Sequence, residues 1–352
     1  MKRLLRKRFV TLFMGLVFVA TVVPTWLGWY DSYIQLIIQY IGINIILTVS
    51  LNLINGYMGE FNCGHAGFMG AGAYIASILT VLFLIQDDVF GPPLVSEGWS
   101  LIVFPLALVL GAIGAALFGL LIAIPSFRTR GDYLAIITLA VNYIFKSFIE
   151  NVQKIGGARG FMGTARVVKV LEGLTPIPWT MIYIFFAAIL AIYVVRHFTV
   201  STFGKGVMAI REDEIASELM TIDTRRVKVT AFMLACGLAG LGGGLYAHVI
   251  GYINPGMFTI LKSTEIMVMV YLGGMGSISG SILSATAFTV ALEILKPLGL
   301  FRWVLLPVLL IVLMIFRPTG IMGNRELTDV FPRLKTFLAF KESAQIDAAP
   351  AD

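Results

Sequence analysis

The chain has 352 residues, 58% hydrophobic and only 13% charged, about half the charged share of an ordinary soluble domain. That composition excludes a soluble globular protein, and at about 20 residues per span, nine or ten crossings leave no room for a sizeable aqueous domain. The net charge of +6 is therefore read by its position along the chain, as membrane topology, and gives no nucleic-acid footprint.

Lys2, Arg3, Arg6, Lys7 and Arg8 form a basic tail over 1–8, followed by an apolar run over 9–30. The run is too long for a signal-peptide core, and no small-x-small cleavage site stands near Ala20, so a retained first span is expected. Further apolar runs, bounded by charge, Pro and Gly, predict spans over 33–54, 66–85, 100–124, 132–149, 179–197 and 229–250. Cys63 and Cys236 lie in apolar surroundings and read as packing residues.

Thr264 to Lys296 is a 33-residue stretch, about 50 Å long as one helix against a hydrocarbon core of about 30 Å. Four glycines between Gly273 and Gly280 predict a break, with a short element over 259–273, another over 279–296 and a last span over 302–316. Basic residues support this. The broken arrangement puts 18 inside and 7 outside, the unbroken one 15 and 10, and cytoplasmic loops carry the excess of Lys and Arg. Both termini are then cytoplasmic. The expected fold is an all-α polytopic membrane protein of about ten transmembrane helices: a permease domain over 9–317, an external loop over 150–178, a cytoplasmic segment over 198–228 and a C-terminal tail over 318–352.

An internal echo runs across these elements. Tyr57-Met58-Gly59 with Ala71-Gly72-Ala73-Tyr74 returns 214 residues later as Tyr271-Leu272-Gly273 with Ala285-Thr286-Ala287-Phe288. Glycine-interrupted segments at matching places in two halves point to a translocation route; small residues that allow close helix packing are the plainer reading. The route candidates are Tyr57, Gly59, Glu60, Asn62 and His65 in the first polar break and Gly273, Gly274, Gly276, Ser277 and Gly280 in the second. The alternative for the first break is a tight cytoplasmic turn.

Ser201 to Arg226 is the longest cytoplasmic connection. Ile210, Glu214 and Ser217 fall on one helical stripe and Ile215, Leu219 and Ile222 on another, with Arg211-Glu212-Asp213-Glu214 opening a second helical piece. An apolar stripe beside mainly acidic charge suits docking on a cytoplasmic protein. A helix lying on the bilayer would favour Lys and Arg on its polar face.

LNLINGYMGEFNCGHAGFMGAGAYIA, RTRGDYLAIITLA, FGKGVMAIREDEIASELMTID, YLGGMGSISGSILSA and FRPTGIMG occur in this order from about Ile43 to Gly323. The chain resembles, through these five segments, the permease subunits of the branched-chain amino acid family of ATP-driven (ABC) importers, in the larger of the two permease types. The resemblance implies a prokaryotic plasma (inner) membrane location, a second homologous permease, two cytoplasmic ATPase subunits and an extracytoplasmic binding protein. It also implies import of Leu, Ile and Val, with urea or short amides as the alternative cargo of sister systems, and an external loop that faces the binding protein unless it is merely flexible. Coupling to the ATPases is implied at Ala209, Ile210, Arg211, Glu212, Asp213, Glu214, Ala216, Leu219 and Ile222. Here the chain departs from the family signature: Ile215-Ala216-Ser217 replaces Glu-Ala-Ala, and Thr221 replaces a Gly, which puts the backbone turn after this helix in question.

No G-x-x-x-x-G-K-[ST] phosphate loop is present, so ATP and Mg are expected to be used by the partner subunits, with no cofactor bound by this chain. His65, His197 and His248 are too scattered for H-E-x-x-H, and Ile278 stands where G-x-S-x-G needs a nucleophile, which argues against an intramembrane enzyme. An ion-coupled carrier would draw its coupling carboxylate from Glu60, Glu265 or Glu293; the last two are expected at hydrated helix ends. Such a carrier has no need of the 201–226 helix.

Overall fold

The computed structural model describes residues 18–323, apart from 20, 87–90, 128–132, 174, 176, 302–303, 305–307, 309–310, 313–314 and 317–318. Among the described residues, seven helical segments are long and apolar enough to span a membrane, and Ile278–Ile294 is a shorter apolar helix. The 1–8 tail and residues 9–17 of the first expected span lie outside the described residues; 18–19 and 21–26 are helical. The expected last span is described only in part, and the tail only to Gly323.

The order is α1 (Ser32–Asn52), a π-helix (Leu53–Met58), α2 (His65–Leu84), α3 (Ser100–Ser126), α4 (Tyr133–Asn151), β1 (Phe161–Met162), α5 (Thr164–Gly173) and α6 (Trp179–Val200). It continues with α7 (Thr202–Glu212), α8 (Glu214–Leu219), α9 (Thr224–Ile250), β2 (Tyr252–Ile253), α10 (Ile260–Gly273) and α11 (Ile278–Ile294). Asp31, Ser201, Asp213, Asp223 and Ser277 each cap a following helix by accepting a backbone N–H.

α9 is the central helix, packed on α1, α2 and α3. Small residues let these backbones approach: a Cβ on Gly243 would lie 1.9 Å from the carbonyl oxygen of Met69, and one on Gly72 would lie 2.2 Å from Gly240 Cα. Cys236 fills the matching space at Gly119 and is fully buried, as a packing residue. On the far side of α3, Ile102, Leu106, Val109, Ile113, Leu117, Leu121 and Ile124 recur every three or four residues and are all exposed, a face that suits lipid.

α10 and α11 form an antiparallel hairpin. Gly273 lies against Gly280, and one turn or so farther along, Ser284 Oγ donates to the Met269 carbonyl at 2.6 Å. The break between them runs over 274–277, where Gly274 and Gly276 take positive φ. The chain returns to this break later: the amides of Ile321 and Met322 donate to the carbonyls of Leu272 and Gly273, which are orphaned by the end of α10.

Residues 151–173 of the expected external loop carry regular structure. β1 pairs antiparallel with β2 (Phe161 with Ile253, Met162 with Tyr252), α5 follows, and the Ala165 amide donates to the Gly251 carbonyl at the end of α9.

Candidate functional site

The breaks, the 201–223 segment and the returning 319–323 turn collect at one end of the bundle, opposite β1, β2 and α5. This end holds nearly every residue picked out as coupling or route-forming.

Its centre is where α1 changes pitch. The π-helix Leu53–Met58 ends in Gly59, left-handed at φ 76°. Asn52, fully buried just before it, donates to Ser277 O (2.9 Å) and to Ser281 Oγ (2.8 Å), and its Oδ1 accepts the Gly276 amide at 2.9 Å. Gly56 is essential to this contact, since a Cβ there would sit 1.9 Å from Asn52 Oδ1 and 2.4 Å from the Gly276 nitrogen. The first break is thereby latched to the second, and the two copies of the internal echo end at one joint. Phe61 lies against Tyr271 across it, ring centroids 6.5 Å apart.

Most of the expected route residues are packed into this joint. Tyr57, Asn62, His65, Gly273, Gly274, Ser277 and Gly280 are buried; Gly59, Glu60 and Gly276 reach the surface. Asn62 Oδ1 accepts the Gly64 amide, and the His65 ring shares a 2.9 Å hydrogen bond with Ser50 Oγ. The arrangement resembles a closed seal more than an open wall. Burial raises the Cys63 thiol in the same turn above its ordinary value.

The expected coupling segment is two helices. α7 ends at Glu212 and α8 starts at Glu214, hinged at Asp213, whose carboxylate caps the Ala216 amide at 3.0 Å. Ile210 is buried as an anchor. Ala209 and Arg211 are half-buried, and Glu212, Asp213, Ala216 and Leu219 are exposed. Ile215, Leu219 and Met220 stand 65%, 79% and 76% exposed, an apolar tip left uncovered among the described residues. Ile222 departs from the expected stripe: it packs inward towards Gly206, because α8 has already ended and the chain is turning back.

That turn is made by Thr221. The Ile222 amide donates to Ser217 O and the Thr221 amide to Glu218 O, with Thr221 at φ 63°, alone among the described non-glycine residues in taking a positive φ. This is the six-residue C-terminal motif that ordinarily uses glycine, and it answers the question raised by the missing Gly: the turn is kept and the β-branched residue is strained into it. Thr221→Gly is expected to relieve about 1 kcal/mol of left-handed strain, net of the added chain entropy. Slower hydrogen exchange at the Ser217–Ile222 amides would register the gain.

Two cations tie these helices to the break. Arg211 Nη1 donates to Gly56 O at 3.0 Å, and its methylenes lie under Gly59. Lys228, near the start of α9, holds Glu60 Oε1 at 2.7 Å and Glu214 Oε1 at 2.8 Å, with only 9% of its side chain exposed. The sequence reading missed Lys228 and Asn52. Lys228 reads as the edge of an apolar run, although a lone cation there carried a signal that a carboxylate partner was needed.

Glu265, expected at a hydrated helix end, is instead paired with Lys262 at 2.9 Å, their side chains 18% and 16% exposed. Glu293 pairs with Lys296 and hydrogen-bonds Tyr33.

A family model described as "Branched-chain amino acid transport system / permease component" matches residues 33–317. The high-affinity branched-chain amino acid transport system permease protein LivM of Escherichia coli (strain K12) is 31% identical over 304 residues, 80% of this chain and 68% of the relative. A probable branched-chain amino acid transport permease protein LivM of Methanocaldococcus jannaschii is 24% identical, covering 84% of this chain and 94% of the relative. The E. coli permease LivH is 23% identical over 299 residues, 81% of this chain and 92% of the relative. No solved structure matches. A family match over residues 33–317 and the likeness to LivM place this multi-pass membrane protein in the branched-chain amino acid transport system permease family.

Proposed function

We propose that this chain is one permease half of an ATP-driven importer of branched-chain amino acids in a prokaryotic inner membrane. It has about ten spans and both termini in the cytoplasm. A second, homologous permease completes the pathway, two cytoplasmic ATPase subunits drive it, and an extracytoplasmic binding protein delivers the substrate to the face that carries β1 and α5. The chain performs no chemistry on its cargo and binds no cofactor; ATP and Mg belong to the partners.

The observation that carries this reading is the mechanical continuity at the inner end. An exposed apolar tip on α8 is joined by Lys228 and Arg211 to the π-helical break in α1, and that break is latched by Asn52 to the break between α10 and α11. Movement of the tip by a closing ATPase pair is transmitted through charge pairs to the two glycine breaks, which lack the stiffness of continuous helix. The joint acts as the inner gate.

The test is reconstitution of the whole assembly in liposomes. Leucine uptake should require ATP and the binding protein, and should persist after ionophores collapse proton and sodium gradients; uptake that stops with the gradients would refute the reading. Leu219→Arg is expected to leave the assembled complex intact while cutting leucine taken up per ATP hydrolysed by about tenfold, since a charge replaces the apolar anchor of the docking tip. Unchanged coupling would remove α8 from the contact.

A further inference from the structure

Lys262 and Glu265 lie well inside the bundle. At 1.5 Å per residue, Lys262 stands about 16 Å from Gly273 at the inner break, and Tyr40 of α1, in the same neighbourhood, lies about 12 Å inward from Ser32. The Lys262 ammonium is 5.5 Å from the Tyr246 ring centroid, and the Tyr246 ring is 6.0 Å from that of Tyr40. The pair is partly open, on a face shared with Leu261, which is 66% exposed one turn before Glu265.

A charge pair at this depth is costly against lipid and belongs on a watery route or a protein contact. The same chemistry recurs about 10 Å farther out along α1, where Lys296 Nζ pairs with Glu293 at 2.7 Å and sits 4.8 Å from the Tyr33 ring centroid. Tyr33 and Tyr40 are two turns apart and share one face of α1. Twice, therefore, an ammonium and a carboxylate are presented side by side over a tyrosine, along one line leading inward.

A free α-amino acid carries the complementary charges on a single carbon. We propose that Lys262 and Glu265, with Tyr40 and Tyr246, form a binding station for the zwitterionic head of the amino acid in transit: its carboxylate meets Lys262, its ammonium meets Glu265, and its aliphatic side chain lies on Leu261. The Glu293–Lys296 pair is the outer approach to it. Between substrates the two side chains neutralise each other, so the route carries no unpaired charge. The inference rests on the importer reading and adds where, and by which groups, the cargo is recognised within the membrane.

The experiment uses the complete importer in liposomes with radiolabelled leucine, measuring uptake beside the ATP hydrolysis stimulated by leucine-loaded binding protein. Lys262→Met and Glu265→Gln are each expected to lower uptake about tenfold or more, with stimulated hydrolysis held within about twofold. The decisive variant is Lys262→Met/Glu265→Gln. Removing both members of a merely structural pair is close to neutral, so uptake restored in the double variant would overturn the proposal, and uptake that stays low supports it. Should the double variant fail to assemble, Thr264→Cys in a Cys63→Ser background supplies the reading. A charged thiol reagent added outside should modify it faster than Leu117→Cys on the apolar stripe of α3, and turnover with leucine should slow that modification; equal rates would overturn the site. A wild-type importer without ATP-driven uptake would sink the importer reading first, whereas a working wild type with a rescued double variant sinks the station alone.

Discussion

Lys228→Met is expected to cost about 3 kcal/mol in stability of the assembled complex, because it leaves two carboxylates near one another without their shared cation. Lys228 is nearly covered, Glu60 is one-fifth exposed and Glu214 more than a third, so most of that loss belongs to Glu60, with water screening Glu214. Thermal unfolding of the purified complex measures it. The triple variant Lys228→Met/Glu60→Gln/Glu214→Gln should recover most of the stability, since no charge remains unpaired. It should not recover transport: the link between α8 and the break in α1 is gone, so hydrolysis proceeds with little leucine moved. A triple variant that transports normally would make the lysine a structural tie with no part in coupling.

Asn52→Leu removes the latch between the two breaks. Three hydrogen bonds are lost, two of them to the fully buried Ser277 and Ser281, for an expected cost of about 3 kcal/mol. Asn52→Asp should be worse. The carboxylate can still accept from the Gly276 amide, but it has no N–H for Ser277 O and puts a charge in a buried place. With the inner seal loosened, hydrolysis without binding protein should rise and preloaded leucine should leak from liposomes. A tight variant with unchanged basal hydrolysis would show that the seal lies elsewhere.

Much of this architecture is written in local pattern. Long apolar runs demand helices wherever backbone groups meet hydrocarbon, and four glycines in eight residues break the 264–296 run because the lengths of helix and bilayer disagree. Thr221 was legible as a departure, though the way the turn survives it was not: whether a β-branched residue abandons a left-handed position or is forced into it depends on how firmly Ser217, Glu218 and Ile222 hold the turn. Ile222 was misjudged for the same reason, as a helical period was carried past the point where the helix stops.

By itself the sequence determined the class of protein and, within the described residues, the placing of spans and breaks, since these follow from hydropathy and glycine within a few turns of chain. Only the tertiary structure decided that Asn52 answers Gly276, that Lys228 answers both Glu60 and Glu214, and that Glu265 sits deep in the bundle on Lys262. Asn52 is separated from Gly276, and Lys228 from Glu60, by long stretches of chain. A buried polar group announces that it must be satisfied, but which distant group satisfies it is settled when the helices pack.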